Sequence, residues 1–139
     1  MPERYSFWRP ALAEYIDASM QKPFQWSEHD CALFAAGAVE AMTGEDFAAP
    51  YRGKYKSLKG GLGLLKRKGF ANHAELAASL LEEIPISLAS VGDIAAVKVS
   101  TGGFYALGVV NGPRIYLCRP DSLGLGTADL LTAERAFRV

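Results

Sequence analysis

The chain has 139 residues, of which 50% are hydrophobic and 22% charged, and its 15 basic and 15 acidic residues give no net charge at pH 7. The length corresponds to one domain, and this balanced composition gives no reason to expect a nucleic-acid partner. No apolar run approaches the ~20 residues that span a bilayer, so we expect no membrane span.

The first predicted element is an amphipathic helix within residues 9–20. Pro10 suits a first helical turn, and the apolar residues recur at helical spacing on one face. These residues are Leu12, Tyr15, Ile16 and Met20.

The strongest helix signal follows at residues 31–43. Asp30 is a favourable N-cap, the alanine-rich run after it is a strong helix former, and Gly44 stands where a left-handed C-cap residue belongs. Cys31 is therefore expected to begin this helix, where free N–H groups and the helix dipole favour a thiolate. Two interpretations stay open, because Cys31 is either a nucleophile or the first residue of a buried apolar face.

Residues 45–90 are predicted to form a loop and two more helices. The first helix, within residues 54–68, has leucines at helical spacing but is weakened by glycines. Asn72 and Glu75 form a variant of the capping box at the start of the second. This places His73 in an exposed first turn, where we expect no function for it.

A basic cluster without any acidic residue lies between positions 47 and 74. It consists of Arg52, Lys54, Lys56, Lys59, Lys66, Arg67 and Lys68. The cluster is either a solvated helix face or a surface for phosphates or an acidic partner.

From Gly92 the pattern changes to that of strands. Residues 93–99, 104–110 and 114–118 are rich in β-forming residues and are separated by turn sequences, and a last strand is expected within residues 133–139. Helices followed by strands predict an α+β domain with a helical layer on one face of an antiparallel sheet.

We expect a single domain over residues 1–139. It divides into an N-terminal helix and linker (1–25), a helical layer (26–90) and antiparallel strands (91–139). Two cysteines cannot form a disulfide framework, and the cysteines and histidines are scattered singly, without the spacing of a zinc site. We therefore expect reduced thiols, no metal and no cofactor.

The pattern Trp-x-x-His-Asp-Cys-Ala-x-Phe-Ala-Ala at residues 26–36, followed by Gly92-Asp93 and a Gly-Val-Val-Asn-Gly hairpin, carries a resemblance. Over roughly residues 20–139 the chain resembles the NlpC/P60 branch of the papain-like cysteine hydrolases. More narrowly, it resembles an uncharacterised NlpC/P60-like group encoded in phage and prophage tail modules. The resemblance implies a papain-like fold with Cys31 as the nucleophile.

The groove beside this thiol is expected to involve Trp26 and Asp30. Trp26 has two interpretations, since a tryptophan here either shapes a substrate groove or anchors the loop onto the core.

The resemblance also places the catalytic histidine at Ala106 and the third polar residue near Cys118. Alanine carries no proton, and a neutral thiol orients an imidazole poorly. We predict that Ala106 faces the Cys31 thiol, with Cys118 nearby, in a degenerate site. His29 is the remaining candidate base, or else a structural or electrostatic neighbour of the thiol.

Two functions follow from the resemblance. The first is a structural or docking module of a phage tail or tail tip that binds other tail proteins. The second is a tail-associated cysteine peptidase or amidase that cleaves peptides of cell-wall peptidoglycan through Cys31. The degenerate site favours the first, because loss of base and orienting group removes most transition-state stabilisation.

We expect the protein to be located in the virion tail after assembly in the host cytoplasm. Residues 1–5 lack the apolar core of a secretory signal, so assembly into a virion is the expected route out of the cell.

Overall fold

The computed structural model describes residues 2–98, 105–118 and 125–139. These ranges contain four α-helices: α1 Trp8–Ser19, α2 Cys31–Thr43, α3 Leu58–Arg67 and α4 His73–Leu80. They also contain six strands: β1 Glu82–Ile84, β2 Ile94–Lys98, β3 Tyr105–Asn111, β4 Arg114–Cys118, β5 Leu125–Asp129 and β6 Arg135–Arg138. No helix in these ranges has the length and apolar character needed to cross a membrane.

Helix α2 begins and ends where its sequence predicts. The Asp30 carboxylate accepts a hydrogen bond of 3.0 Å from the Leu33 N–H, as an N-cap residue does. Gly44 has φ +84°, in the left-handed region that glycine enters without steric cost, and its N–H donates to the Glu40 carbonyl at 2.8 Å. Cys31 is therefore the first residue of a helix held at both ends.

Helix α3 is shorter than predicted at its start. Ser57 is its N-cap and accepts from the Gly60 N–H at 3.0 Å, so the helix starts at Leu58 rather than at residue 54. Tyr55 consequently lies in the loop before the helix. This leaves the Tyr55 side chain free to contact the start of α2.

The strands of the described ranges form one antiparallel sheet in the order β1-β6-β2-β3-β4-β5. Strands β2, β3 and β4 form the predicted meander, whose expected ends at residues 99 and 104 and first turn at 100–103 lie outside the described residues. The sheet follows a helical layer in the chain, which confirms the predicted α+β class.

The two faces of the sheet carry different clusters of apolar side chains. The inner face packs against α1, α2 and α4, and the fully buried Phe34, Met42 and Phe137 lie in this core. The outer face carries a smaller cluster around Val110 and Ile115. Because successive strand residues point to opposite faces, the apolar side chains of β3 alternate between the two clusters.

The N-terminal segment is fastened to the sheet by one buried carboxylate. Asp93 is 2% exposed and accepts from Arg4 at 2.9 Å, from the Ser90 N–H at 2.9 Å and from the Val139 N–H at 3.1 Å. Both ends of the described chain therefore meet at the start of β2.

Candidate functional site

The candidate site lies at the start of α2, where Asp30 joins three segments. Its carboxylate is 1% exposed and accepts from the Leu33 N–H, from the Ser27 N–H at 2.9 Å and from the Tyr55 hydroxyl. Ser27 has φ +68°, an uncommon value for a residue other than glycine, and its bond to Asp30 supports this turn. Asp30 thus caps the helix and also ties down the loops on either side of it.

The thiol of Cys31 is buried and protonated at neutral pH. Cys31 is 8% exposed, and burial raises the pKa of its thiol from an ordinary 9.0 to about 11, with a further contribution from the negative charge of Asp30. Backbone N–H groups of Leu107, Ala32 and Cys31 itself act in the opposite direction on this pKa but do not offset burial. The expected activation by the helix start is therefore outweighed by desolvation.

The space beside Cys31 is too small for a substrate. It is a cavity of about 10 Å³, close to the minimum volume that holds one water molecule. The side chains and backbone that line it come from the loops before α2 and α3 and from α2, α3 and α4. They are Trp26, Asp30, Cys31, Tyr55, Leu58, Gly61 and His73.

The prediction that Ala106 faces this thiol is wrong. Leu107 and Val109 belong to the inner core with Phe34, whereas Ala106 packs in the outer cluster with Val110. A shift of one residue along a strand exchanges the two faces of a sheet, so an alignment that places the histidine at Ala106 places it on the far side. The helix-facing residue is Leu107.

Cys118 lies on the inner face, in the same core as Leu107. It is 3% exposed, and its thiol donates to the His29 carbonyl at 3.4 Å. Burial raises the pKa of Cys118 to about 12, and the nearby Cys31 and Asp30 add to this rise. Both thiols are therefore neutral neighbours at physiological pH.

His29, the candidate base, is buried against the ring of Phe34 rather than placed in the cavity. It is 8% exposed, its ring lies edge-on to Phe34 with centroids 6.3 Å apart, and it is not among the residues that line the cavity beside Cys31. Its pKa is lowered by burial and by the charge of Lys22, against the opposite effect of Asp30. This geometry fits a structural neighbour that stays neutral.

His73 is the imidazole that the structure brings to the cavity. It is half-buried, not exposed as predicted, and its Nδ1 atom is buried without a hydrogen-bond partner among the described residues. Burial lowers its pKa, while Asp30 acts in the opposite direction. A signal was present in the sequence: His73 is four residues before the apolar Ala77, and residues four apart share a helix face.

Trp26 anchors the loop before α2 and also forms part of the cavity wall. Its ring meets Phe24 edge-on with centroids 4.8 Å apart. Behind the wall lies a second, apolar cavity of about 80 Å³ between α2, α3 and α4, which shares Tyr55, Gly61 and His73 with the first. The surroundings of the thiol are thus mostly apolar and closed.

The helix that begins with the buried Cys31 and the antiparallel sheet on which it packs form an α+β domain. The fold is similar to the crystal structure of the NlpC/p60 domain of the peptidoglycan hydrolase SagA, with a TM-score of 0.58 and 16% sequence identity over 94% of this chain and 97% of that chain. Residues 3–139 match the family described as Domain of unknown function (DUF6950), and the chain belongs to this family. No curated protein matches the chain.

Proposed function

We propose that this protein is a non-catalytic docking module that retains an NlpC/P60-like fold and assembles with other proteins of a phage tail or tail tip. The observation that carries the non-catalytic part is the thiol of Cys31, which is 8% exposed and has a pKa of about 11, while no strand of the described sheet carries a histidine that could face it. The sequence pattern at residues 26–36 supports the tail context. The proposed location is the virion tail, reached by assembly in the host cytoplasm.

The chemical reason is the lack of a histidine on the described strands of the sheet, together with a neutral thiol. A cysteine hydrolase needs a thiolate to attack the carbonyl and an imidazolium to protonate the leaving amine. With the thiol neutral and no histidine on the described strands, both steps are disfavoured. A docking function needs only the intact surface of the domain.

Complementation of tail assembly tests this proposal. Deletion of the gene from its phage should block or weaken tail assembly, and the Cys31→Ala protein should restore assembly as well as the wild type, because docking does not use the thiol. Circular dichroism of the purified variant provides the folding control. A folded Cys31→Ala protein that fails to complement would contradict the proposal.

One observation favours the cysteine peptidase or amidase as a second candidate. Cys31, Asp30 and His73 line the same cavity, so an imidazole is available near the thiol from α4 instead of from the sheet. For this enzyme to work, the wall formed by Leu58 and Gly61 must open to admit peptidoglycan peptides.

Release of peptides from peptidoglycan fragments separates the two candidates. Wild type should release none if the protein is a docking module. Release that is lost in both Cys31→Ala and His73→Gln but kept in His29→Gln would instead establish the enzyme with His73 as its base. In that case Leu107→His should create or increase activity, because residue 107 points to α2. Ala106→His should have no such effect, because residue 106 points to the other face of the sheet.

A further inference from the structure

A second candidate binding site lies away from Cys31. It is a cleft of about 220 Å³ between α1 and the β3–β4 hairpin, and it shares no lining residue with the cavity beside Cys31. Its floor is apolar and includes Leu12, Ile16 and Val109, all of them buried. The concave shape and the apolar floor are suited to a small ligand.

The rim of the cleft is a row of three exposed residues on α1. Arg9, Ala13 and Asp17 lie one helical turn apart, with opposite charges at the two ends and a small side chain between them. The rise of an α-helix places the Cα atoms of Arg9 and Asp17 about 12 Å apart, and at this spacing the two side chains do not pair with each other. Neither forms a salt bridge with another residue in the described ranges.

The Arg9 guanidinium is held in place by an aromatic ring. It lies 4.5 Å from the centroid of the Trp8 ring, which also contacts the Arg4 guanidinium at 4.1 Å. Arg4 is engaged by Asp93, whereas the Arg9 guanidinium forms no ion pair with the residues that the structure describes. A stacked guanidinium presents a fixed fork that matches a carboxylate.

Both rim charges oppose the dipole of their own helix. Arg9 is the second residue of α1, at the positive end of the dipole, and Asp17 is two residues before its last residue Ser19, at the negative end. Such placement destabilises an isolated helix. The same placement becomes favourable when a ligand brings an anion to the first turn and a cation to the last, because dipole and side chains then attract the ligand together.

We propose that this cleft binds a short extended peptide with free ends, its carboxylate at Arg9 and its amino group at Asp17. Three extended residues span about 10 Å, which is comparable with the ~12 Å of helix rise between Arg9 and Asp17. The central side chain is apolar and rests on Leu12 and Ile16. A sugar would leave Asp17 without a cation, so a zwitterionic peptide is the better chemical match.

The opposite wall of the cleft offers hydrogen bonds to the peptide backbone. Asn111 and Tyr116 line it, and the Asn111 amide donates to the Tyr116 hydroxyl at 3.3 Å. Amide and hydroxyl groups both donate and accept, so they can pair with the N–H and C=O groups of an extended chain. This site is independent of the proposed docking function and of any chemistry at Cys31.

Calorimetric titration with the tripeptide Ala-Leu-Ala tests the proposal. Wild type should bind it, and Arg9→Gln or Asp17→Asn should each weaken binding about tenfold, the value expected for loss of one charge-assisted contact. Glu14→Gln on the same helix and Arg67→Gln on α3 serve as matched controls and should bind as wild type does. No binding by wild type at millimolar peptide, or equal binding by Arg9→Gln and Asp17→Asn, would overturn the proposal.

Blocked peptides then assign each end. The peptide with a C-terminal amide should bind to wild type about tenfold more weakly than the free acid does. The amide should lose no further affinity when Arg9 is replaced by Gln, because both changes remove the same contact. The N-acetylated peptide should behave in the same way toward Asp17→Asn. Filling the gap in the rim by Ala13→Phe should abolish binding in a protein with an unchanged circular dichroism spectrum. Unaltered binding by Ala13→Phe would place the peptide elsewhere and refute the site.

Discussion

Replacing Asp30 by alanine should be among the most destabilising single changes in this protein. The carboxylate is 1% exposed and satisfies three donors: the N–H groups of Leu33 and Ser27, and the hydroxyl of Tyr55. Loss of the helix cap costs about 1 kcal/mol. Each of the other two donors, left unpaired in a buried place, costs about 1–3 kcal/mol. The sum is about 3–7 kcal/mol, a large part of the ~5–15 kcal/mol that stabilises a typical domain.

Urea unfolding followed by tryptophan fluorescence measures this cost. Asn72→Ala is the matched control, because Asn72 caps α4 through one exposed bond of 2.9 Å to the Glu75 N–H and should cost only about 1 kcal/mol. Tyr55→Phe removes one of the three donors. Adding Asp30→Ala to Tyr55→Phe should therefore cost less free energy of unfolding than Asp30→Ala costs in the wild type. If Asp30→Ala costs no more than Asn72→Ala, the carboxylate does not join the loops as described.

Two further predictions concern the sheet and the buried histidines. Gly108→Ala should lower the free energy of unfolding by about 1–3 kcal/mol in the same assay, since the added Cβ would lie 2.6 Å from the Tyr116 carbonyl oxygen. Gly63→Ala on α3 is the control. Its Cβ meets only the end of a side chain, at 3.5 Å, so this change should be neutral or stabilising. Burial lowers the pKa of His29 and His73 below the ordinary 6.5, so the unfolded chain binds more protons and stability should fall as the pH decreases below about 6.5. The double variant His29→Gln/His73→Gln should lose this pH dependence, and an unchanged dependence would contradict the burial argument.

Local signals in the sequence were sufficient for the central parts of the fold. Asp30 and Gly44 bound α2 because capping depends on residues within one turn of the chain. The β2–β3–β4 meander follows from strand-forming runs separated by short turns. The strand β1 was not predicted, since its three residues gain their order only by pairing with β6, more than fifty residues later.

The site was harder to predict because its contacts are long-range. Tyr55 reaches Asp30 only because α3 begins later than expected, at the Ser57 cap. His73 reaches the cavity because α4 packs with Ala74 and Ala77 buried, which is a property of the tertiary packing. The position of Ala106 was assigned from a motif alignment, and an alignment does not establish which face of the sheet a residue occupies.

The central claim is that the thiol at the start of α2 is closed off and protonated, and its alkylation rate tests this most directly. A pKa of about 11 in place of 9.0 lowers the thiolate fraction at neutral pH about a hundredfold. In a Cys118→Ala background, iodoacetamide should therefore modify Cys31 of the native protein at least about a hundredfold more slowly than Cys31 of the protein unfolded in urea. The rate for the native protein should rise about tenfold per pH unit and reach no plateau up to about pH 10. Rapid alkylation of the native protein with a plateau between about pH 5 and 8 would contradict the account, because it would reveal an accessible, activated thiolate.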